Sequence, residues 1–269
     1  MLECVVNISE GRDADVLRTL AGAAGSVLLD RHADPHHNRS VFTLAGGDVV
    51  SAAENLARSA VNSLDLRHHR GVHPRLGVVD VVPFVPIGVP IGDEMDLSEA
   101  LDARDQFARF ASRELGLPCF LYGPERSLPE IRRNAFSTLD PEFGPGTSDP
   151  RSGAVCVGAR LPLIAYNLVL ASPDLDLAKR IAKSIRSTQV RALGLEVGGR
   201  VQVSCNLIRP WEFGADACYD LVESFADIDH AELVGLIAKE LLDKISPERH
   251  GDLDLSDAQT IEARLVAIR

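Results

Sequence analysis

Histidines, the side chains best suited to proton transfer near neutral pH, are concentrated in two short segments of this chain. Imidazole titrates close to neutrality, so it can both accept and release a proton during a reaction. The segments read RHADPHHNR (31–39) and RHHRGVHPR (67–75), and both flank predicted strands. We therefore expect them to meet at one edge of a sheet and to form a site for acid–base chemistry. The histidines concerned are His32, His36, His37, His68, His69 and His73.

The second segment is also rich in arginine. It carries Arg67, Arg70 and Arg75 and no acidic residue, in a chain whose formal net charge is −11. A guanidinium group stays charged and can bind a carboxylate through two parallel hydrogen bonds. This local exception in an acidic chain predicts a site for an anionic small molecule, centred on His73.

His73 differs from the other histidines in its neighbours. It stands in the sequence Gly-Val-His-Pro-Arg (71–75), where glycine permits unusual backbone angles and proline stiffens the chain. The imidazole is therefore expected to be held in place, with Arg75 near enough to share a ligand. For the other loop histidines, a role as solvated surface residues is the alternative.

A metal site is the main rival interpretation. Two histidine clusters could bind zinc or iron and support a hydrolase. The spacing is not that of a helical His-Glu-x-x-His motif, and Pro35 and Pro74 would break a helix there. Only Asp30, Asp34 and Asp80 offer carboxylates nearby. We therefore expect chemistry without a metal, and a metal-dependent hydrolase is the alternative.

The rest of the composition excludes several classes of protein. The five cysteines are widely spaced and form no CxxC pair, which argues against a disulfide framework and a thiolate zinc site. With 39 acidic residues against 28 Lys and Arg, the chain is a poor general binder of nucleic acids or membranes. The N-terminus lacks the basic region of a signal peptide, and no apolar run could span a bilayer. We therefore expect a cytoplasmic protein.

The elements that must position the histidines follow a pattern that occurs twice. A strand at residues 2–8 precedes a helix that Asp13 can cap, two strands at 26–31 and 39–46, and a helix at 48–63. The order strand, helix, strand, strand, helix returns in the second half of the chain.

This repeat predicts an α+β fold. We expect two related split-βαβ (ferredoxin-like) subdomains, each a mainly antiparallel sheet with helices on one face. The subdomains are placed at residues 1–159 and 160–269. Residues 123–153 are expected to form a short helix and an ordered loop, and the polar tail after about residue 244 to contain one helix.

The loop DPEFGPGTSD (140–149) places Gly144, Pro145 and Gly146 beside Phe143. Two interpretations are open. The loop is either a rigid linker between the subdomains or a wall against which an aromatic ligand ring stacks.

Eight segments along the chain are recognisable together. They are ECVVNISEGR (3–12), NRSVFTLAG (38–46), RGVHPRLGVVDVVPFVP (70–86), FLYG (120–123), EFGP (142–145), GARLPLIAYN (158–167), VQVSCNL (201–207) and ELVGLIAKELLD (232–243). In these segments, which cover about residues 2 to 243, the chain resembles the formiminotransferase family and keeps the family's order. Members of this family also form part of bifunctional formiminotransferase–cyclodeaminases.

The resemblance implies a transferase that moves a formimino group from N-formimino-L-glutamate to N5 of tetrahydrofolate. It implies His73 as the catalytic histidine, because the family's Gly-x-His-Pro-Arg motif falls there. The family's folate-contacting Phe-Gly-Pro falls on Phe143, Gly144 and Pro145, followed by Gly146. A dimer, a place in histidine and one-carbon metabolism, tetrahydrofolate as co-substrate and no metal are also implied, and the cyclodeaminase part is expected to be absent.

The implied reaction suits the residue types. N5 of the folate must lose a proton and the leaving glutamate nitrogen must gain one, which a single imidazole can do in turn. Both substrates carry carboxylates, for which Arg39, Arg70 and Arg75 are the expected partners. Asn7 and Asn38 are expected to hydrogen-bond the pterin or the formimino group, and turn or cap formation is their alternative role.

Two residues depart from the family's pattern. His32 stands where relatives commonly have an acid, and Val72 stands where they commonly have a glutamate before His-Pro. Three alternatives are therefore kept beside formimino transfer: formyl transfer, cyclisation of 5-formyltetrahydrofolate, and a catalytically silent folate-binding relative.

Overall fold

The computed structural model describes residues 1–268, and Arg269, the end of the predicted second subdomain, lies outside the described residues. The chain forms two compact units. The first comprises residues 1–88, 96–160 and 268, and the second comprises residues 89–95 and 161–267. The division at residues 159 and 160 expected from the sequence stays a prediction about domains.

The first unit begins with the predicted repeat. Strands β1, β2, β3 and β4 lie side by side in the order β2-β3-β1-β4, and each adjacent pair is antiparallel. Two helices connect them, so the unit is a split βαβ arrangement. The bounds are β1 (Leu2–Ile8), α1 (Ala14–Ala24), β2 (Leu28–Asp34), β3 (Arg39–Ala45), α2 (Val49–Ser63) and β4 (Val79–Pro86).

Two further strands extend this sheet beyond β4. They are β5 (Cys119–Tyr122) and β6 (Val155–Ala159), with α3 (Ser98–Leu115) and α4 (Leu128–Asn134) between β4 and β6 in the chain. Strand β6 pairs in parallel with both β4 and β5. All five residues of β6 are buried, so it lacks the alternation that would identify a strand from the sequence.

The two faces of the first sheet have different characters. On β1, Cys4, Val6 and Ile8 point into the core covered by α1, α2 and α3. Their neighbours in the strand therefore point to the other face. Helix α4 packs on that second face, where Ile131 joins a small buried cluster with Phe120. Helices thus cover one face of the repeat as predicted, and α4 adds a partial cover on the other.

The second unit repeats the topology of the first. Its antiparallel sheet has the order β10-β7-β9-β8, and α5 packs on α6. The predicted pair of split-βαβ subdomains is therefore confirmed. The bounds are β7 (Ile164–Leu170), α5 (Leu175–Ile185), β8 (Val190–Val197), β9 (Arg200–Leu207), α6 (Ala215–Glu223), β10 (Ile228–Leu233), α7 (Lys239–Leu242) and α8 (Ile261–Ala267).

Within residues 1–268, no helix combines the length and the apolar character needed to cross a bilayer.

Candidate active site

A β-bulge places a carboxylate on the sheet face opposite α1, α2 and α3. In the pairing of β1 with β4, Asn7 is opposite Val81 while Ile8 is opposite Val79. Asp80 is therefore the extra residue on β4. An extra residue of this kind redirects a side chain, and bulges often occur beside functional sites.

The Asp80 carboxylate is fully buried and is held by three donors. Its Oδ2 lies 2.6 Å from Nη1 of Arg39 and 2.7 Å from Nη2 of Arg132, and its Oδ1 accepts from the backbone N of Leu76 at 2.7 Å. Burial works to raise the pKa of Asp80, but the two guanidinium groups outweigh it and the pKa falls to about 2. Asp80 is therefore ionised throughout the physiological range.

Arg39 is held at both of its terminal nitrogens. Nη1 pairs with Asp80, and Nη2 donates to Oδ1 of Asn7 at 2.8 Å. The amide nitrogen of Asn7 in turn donates to the carbonyl oxygen of Val5 at 3.0 Å. The structure therefore brings together the predicted site residues Asn7 and Arg39, and it fixes the plane of the guanidinium.

The His73 ring is oriented by the chain next to it. Its Nδ1 lies 2.7 Å from the carbonyl oxygen of Pro74. A carbonyl oxygen only accepts hydrogen bonds, so Nδ1 carries the hydrogen when the ring is neutral. In that tautomer Nε2 holds the lone pair and is the atom able to accept a proton.

Its surroundings keep His73 neutral. Burial of the ring is the largest influence, and together with the nearby charge of Arg39 it lowers the pKa of His73 to about 3. Arg132 acts in the same direction, while the bond to Pro74 and the charge of Asp80 act in the opposite direction. At neutral pH the ring is therefore a base with an available lone pair on Nε2.

The two histidine-rich segments meet, as predicted from the sequence. The rings of His37 and His73 are 5.8 Å apart between centroids and meet edge to face. A β-carbon added to Gly71 would lie 2.2 Å from the carbonyl oxygen of His37, so only glycine allows this approach. The segments are therefore packed against each other through their backbones.

Asn38 ties these segments together. It is buried and adopts a φ of 47°, a left-handed conformation that Asn tolerates. Its Oδ1 accepts from the N–H of Gly11 at 2.9 Å, and its Nδ2 donates to the carbonyl oxygen of Arg70 at 3.0 Å. Its own carbonyl oxygen accepts from Nε2 of His69 at 2.9 Å. The amide thus positions the loop, and its contact with substrate stays a prediction.

Arg75 holds the same loop from within. Its Nη1 bonds to Nδ1 of His69, and its Nη2 donates to the carbonyl oxygen of His73. Arg70, by contrast, is exposed, and its Nη1 donates to the carbonyl oxygen of His69 at 2.8 Å. Arg67 is also exposed and pairs with Asp65.

The loop at residues 140–149, which the resemblance predicts to contact folate, lies on the face of the sheet opposite Asp80. The half-buried Phe143 ring packs against the core under α3, with the guanidinium carbon of Arg109 5.6 Å from its centroid. Gly144 has a φ of 88°, and a β-carbon there would lie 2.4 Å from the carbonyl oxygen of Leu117. Pro145 and Gly146 are exposed. The structure thus places the Phe143 ring on the face opposite Arg132, and contact of this loop with folate stays a prediction.

Two residues of the site were not identified from the sequence. The sequence indicates Asp80 only as a candidate metal ligand, although a carboxylate inside the apolar run VVDVVPFV must be paired when buried. No feature of the sequence identifies Arg132 as a site residue, because it lies on a short helix in a segment rich in charged residues. Its position becomes clear only when α4 is packed on β4 and β5.

The two departures from the family's pattern also have defined places. His32 lies on β2 in register with Val41 of β3, and Val72 is exposed at the tip of the His73 loop. Across residues 1–268, no group of three or more His, Cys, Asp or Glu side chains is placed to hold a metal ion. The expectation of a metal-free reaction stays a prediction.

The chain is similar to known proteins along most of its length. Residues 1–160 match the formiminotransferase domain, N-terminal subdomain. The chain is 34% identical to a glutamate formimidoyltransferase of Streptococcus pyogenes serotype M1, over 90% of its own length and 91% of that protein. It is 35% identical to a glutamate formimidoyltransferase of Thermoplasma acidophilum, over 90% of its length and 89% of that protein. Identity is also 35% to the formimidoyltransferase-cyclodeaminase of Sus scrofa, of which 51% is covered. The chain therefore belongs to the formiminotransferase family.

Proposed function

We propose that the chain is a transferase that moves a formimino group from N-formimino-L-glutamate to N5 of tetrahydrofolate, with His73 as the general acid and base. Similarity to glutamate formimidoyltransferases over nine-tenths of the chain supports the reaction. The bond between Nδ1 of His73 and the Pro74 carbonyl supports the role of the ring, because it leaves Nε2 as a proton acceptor.

The proton balance requires one group that works in both directions. N5 of tetrahydrofolate attacks the formimino carbon, and the N5 proton passes to Nε2 of His73 as the new bond forms. The imidazolium then gives this proton to the glutamate nitrogen as the old carbon–nitrogen bond breaks. The products are 5-formiminotetrahydrofolate and glutamate, and the imidazole returns to its neutral form.

Positive charge around His73 supports the choice of substrates. Arg39, Arg70 and Arg75 are proposed to bind carboxylates of the two substrates, and Asn7 and Asn38 to hold the pterin or the formimino group through hydrogen bonds. Arg70 is the most accessible of the three arginines. The others are engaged with protein groups, so a ligand would have to share their donors.

The resemblance to the family and the pattern of the sequence support the remaining parts of the proposal. Phe143, Gly144, Pro145 and Gly146 are proposed to contact the folate, and the reaction is proposed to need no metal. We further propose that the protein is a cytoplasmic homodimer and that residues 1–159 and 160–269 are its subdomains.

Transfer is tested with the purified chain, tetrahydrofolate and N-formimino-L-glutamate, by following glutamate release and 5-formiminotetrahydrofolate formation. We expect both products in equal amounts. Parallel reactions with N-formylglutamate and with 5-formyltetrahydrofolate test the related formyl chemistry. Turnover only in these reactions would replace formimino transfer with one of them. Folate binding without turnover in any reaction would identify a silent relative and contradict the proposal.

A further inference from the structure

The carbonyl oxygen of Pro74 accepts hydrogen bonds from two different elements. Nδ1 of His73 lies 2.7 Å from it, and Nη1 of Arg132 on α4 lies 3.0 Å from it. Nη2 of the same guanidinium lies 2.7 Å from Oδ2 of Asp80. One arginine therefore links the buried carboxylate of β4 to the carbonyl that orients the imidazole.

We propose that Arg132 is a positioning residue for His73: by fixing the Pro74 carbonyl it sets the tautomer and direction of the imidazole. The functional meaning of this inference rests on the proposed role of His73. The loop around His73 has no regular secondary structure, and Pro74 has no N–H to bond elsewhere. A charged donor from a neighbouring helix is therefore a strong restraint on this peptide group.

Neutralising Asp80 does not require Arg132. Arg39 already pairs with the same carboxylate oxygen, and the N–H of Leu76 satisfies the other. The second arginine therefore leaves the cluster with one uncompensated positive charge beside a neutral imidazole. We expect this arrangement if Arg132 influences the His73 ring in addition to pairing with Asp80.

The charges of Asp80, Arg39 and Arg132 determine in which direction the pKa of His73 should change when Arg132 is replaced. Without Arg132, the positive charge near the ring falls, so the pKa of His73 should rise from its lowered value. The charged or titratable groups that face His73 are Arg39 from β3, Asp80 from β4, Arg132 from α4, His37 from the β2–β3 loop and Arg75 from its own loop.

Nitrogen-15 NMR of the imidazole rings tests the inference directly, with the His73 signals assigned by their loss in His73→Asn. In the wild-type protein we expect the Nδ1–H tautomer at neutral pH. In Arg132→Gln we expect a mixture of tautomers and a titration midpoint raised toward the ordinary histidine value. The kcat of formimino transfer should fall about 10- to 100-fold with little change in KM, as misplacement of a catalytic group predicts.

Two further variants separate position from charge. Arg133→Gln removes the same charge from the next, exposed residue of α4 and should leave the tautomer, the titration midpoint and kcat unchanged. Arg132→Lys keeps the charge but cannot reach both acceptors in the same way. It should give a titration midpoint near that of the wild type with a mixture of tautomers, and it serves as the test if Arg132→Gln does not fold.

The outcomes distinguish this inference from the proposed function. A wild-type His73 tautomer and titration midpoint in a folded Arg132 variant would overturn the inference, even if its melting temperature falls. In another outcome, the wild-type protein transfers no formimino group while the His73 ring of Arg132→Gln still shows a mixture of tautomers and a raised titration midpoint. In that case the proposed function fails and the positioning role stands.

Discussion

Asp80 and Arg39 form an ion pair inside the first unit, with 2.6 Å between Oδ2 and Nη1 and no exposure of the Asp80 side chain. A buried pair of this kind is costly to assemble because both groups lose water. Arg39 supplies the counter-charge, and the N–H of Leu76 and the guanidinium of Arg132 also donate to the carboxylate. The cluster therefore sets the charged surroundings of His73.

Replacing Asp80 by Asn should destabilise the protein by about 3–5 kcal/mol at pH 7, because the partly buried guanidinium groups of Arg39 and Arg132 lose their fully buried counter-charge. Urea denaturation measures this loss. Asp140→Asn removes an exposed carboxylate of the same unit and should change the free energy of unfolding by less than about 0.5 kcal/mol. Equal effects of the two substitutions would contradict the assignment of Asp80 as a buried anchor.

The stability should depend on pH through His73. Its pKa in the folded protein is lowered to about 3, below the ordinary value of 6.5 that it regains on unfolding. The contribution of this lowered pKa to the free energy of unfolding is fully present above pH 6.5 and is lost as the pH falls toward 3. The wild-type protein should therefore lose more stability than His73→Asn between pH 7.5 and pH 5, measured by urea denaturation. Parallel curves for the two proteins would show that burial does not oppose protonation of this ring.

Gly71→Ala should impair formimino transfer more than folding. The new methyl group would lie 2.2 Å from the carbonyl oxygen of His37 and 2.9 Å from Nη2 of Arg75, so the His73 loop must move. A displacement near 1 Å can cost about 100-fold in rate, and we expect a loss of at least about 10-fold in kcat/KM. Gly251→Ala is the control, since a β-carbon there meets nothing within 4 Å. An unchanged rate in Gly71→Ala would show that the loop is adaptable.

Phe143→Leu distinguishes the two interpretations of the loop at residues 140–149. Leucine keeps apolar contact with the core but removes the ring, so a stacked folate should bind about 2- to 10-fold more weakly. Isothermal titration with tetrahydrofolate measures the Kd. Phe225→Leu, which alters an exposed ring in the second unit, should leave the Kd unchanged. A loss of stability with an unaltered Kd in Phe143→Leu would assign the ring to packing alone.

Much of the fold could be predicted because the elements of the repeat carry strong local signals. Asp13 caps α1 by accepting from the N–H groups of Asp15 and Val16, as its position before the apolar residues indicates. The edge strand β10 was missed because its exposed Asp229 and His230 leave little apolar pattern. The apolar pattern before it predicts a helix over residues 214–228, which is longer than the observed α6, since α6 ends at Glu223.

The site could be predicted only in part, because it depends on contacts between distant residues. The spacing of Gly71, His73 and Arg75 identified the loop. The bulge at Asp80 and the approach of Arg132 arise from the pairing of β1 with β4 and the packing of α4, which no local pattern contains. The charged surroundings of the His73 imidazole therefore arise from tertiary contacts and not from the local sequence.

The role of His73 is tested most directly by the single-turnover rate of formimino transfer in His73→Asn, measured beside the Kd for tetrahydrofolate. Asparagine keeps a donor for the Pro74 carbonyl but removes the nitrogen that accepts the proton. We predict a rate about 100- to 10,000-fold below that of the wild-type protein, with the Kd within about threefold. A rate within about tenfold of the wild-type rate would show that His73 is not the general acid and base.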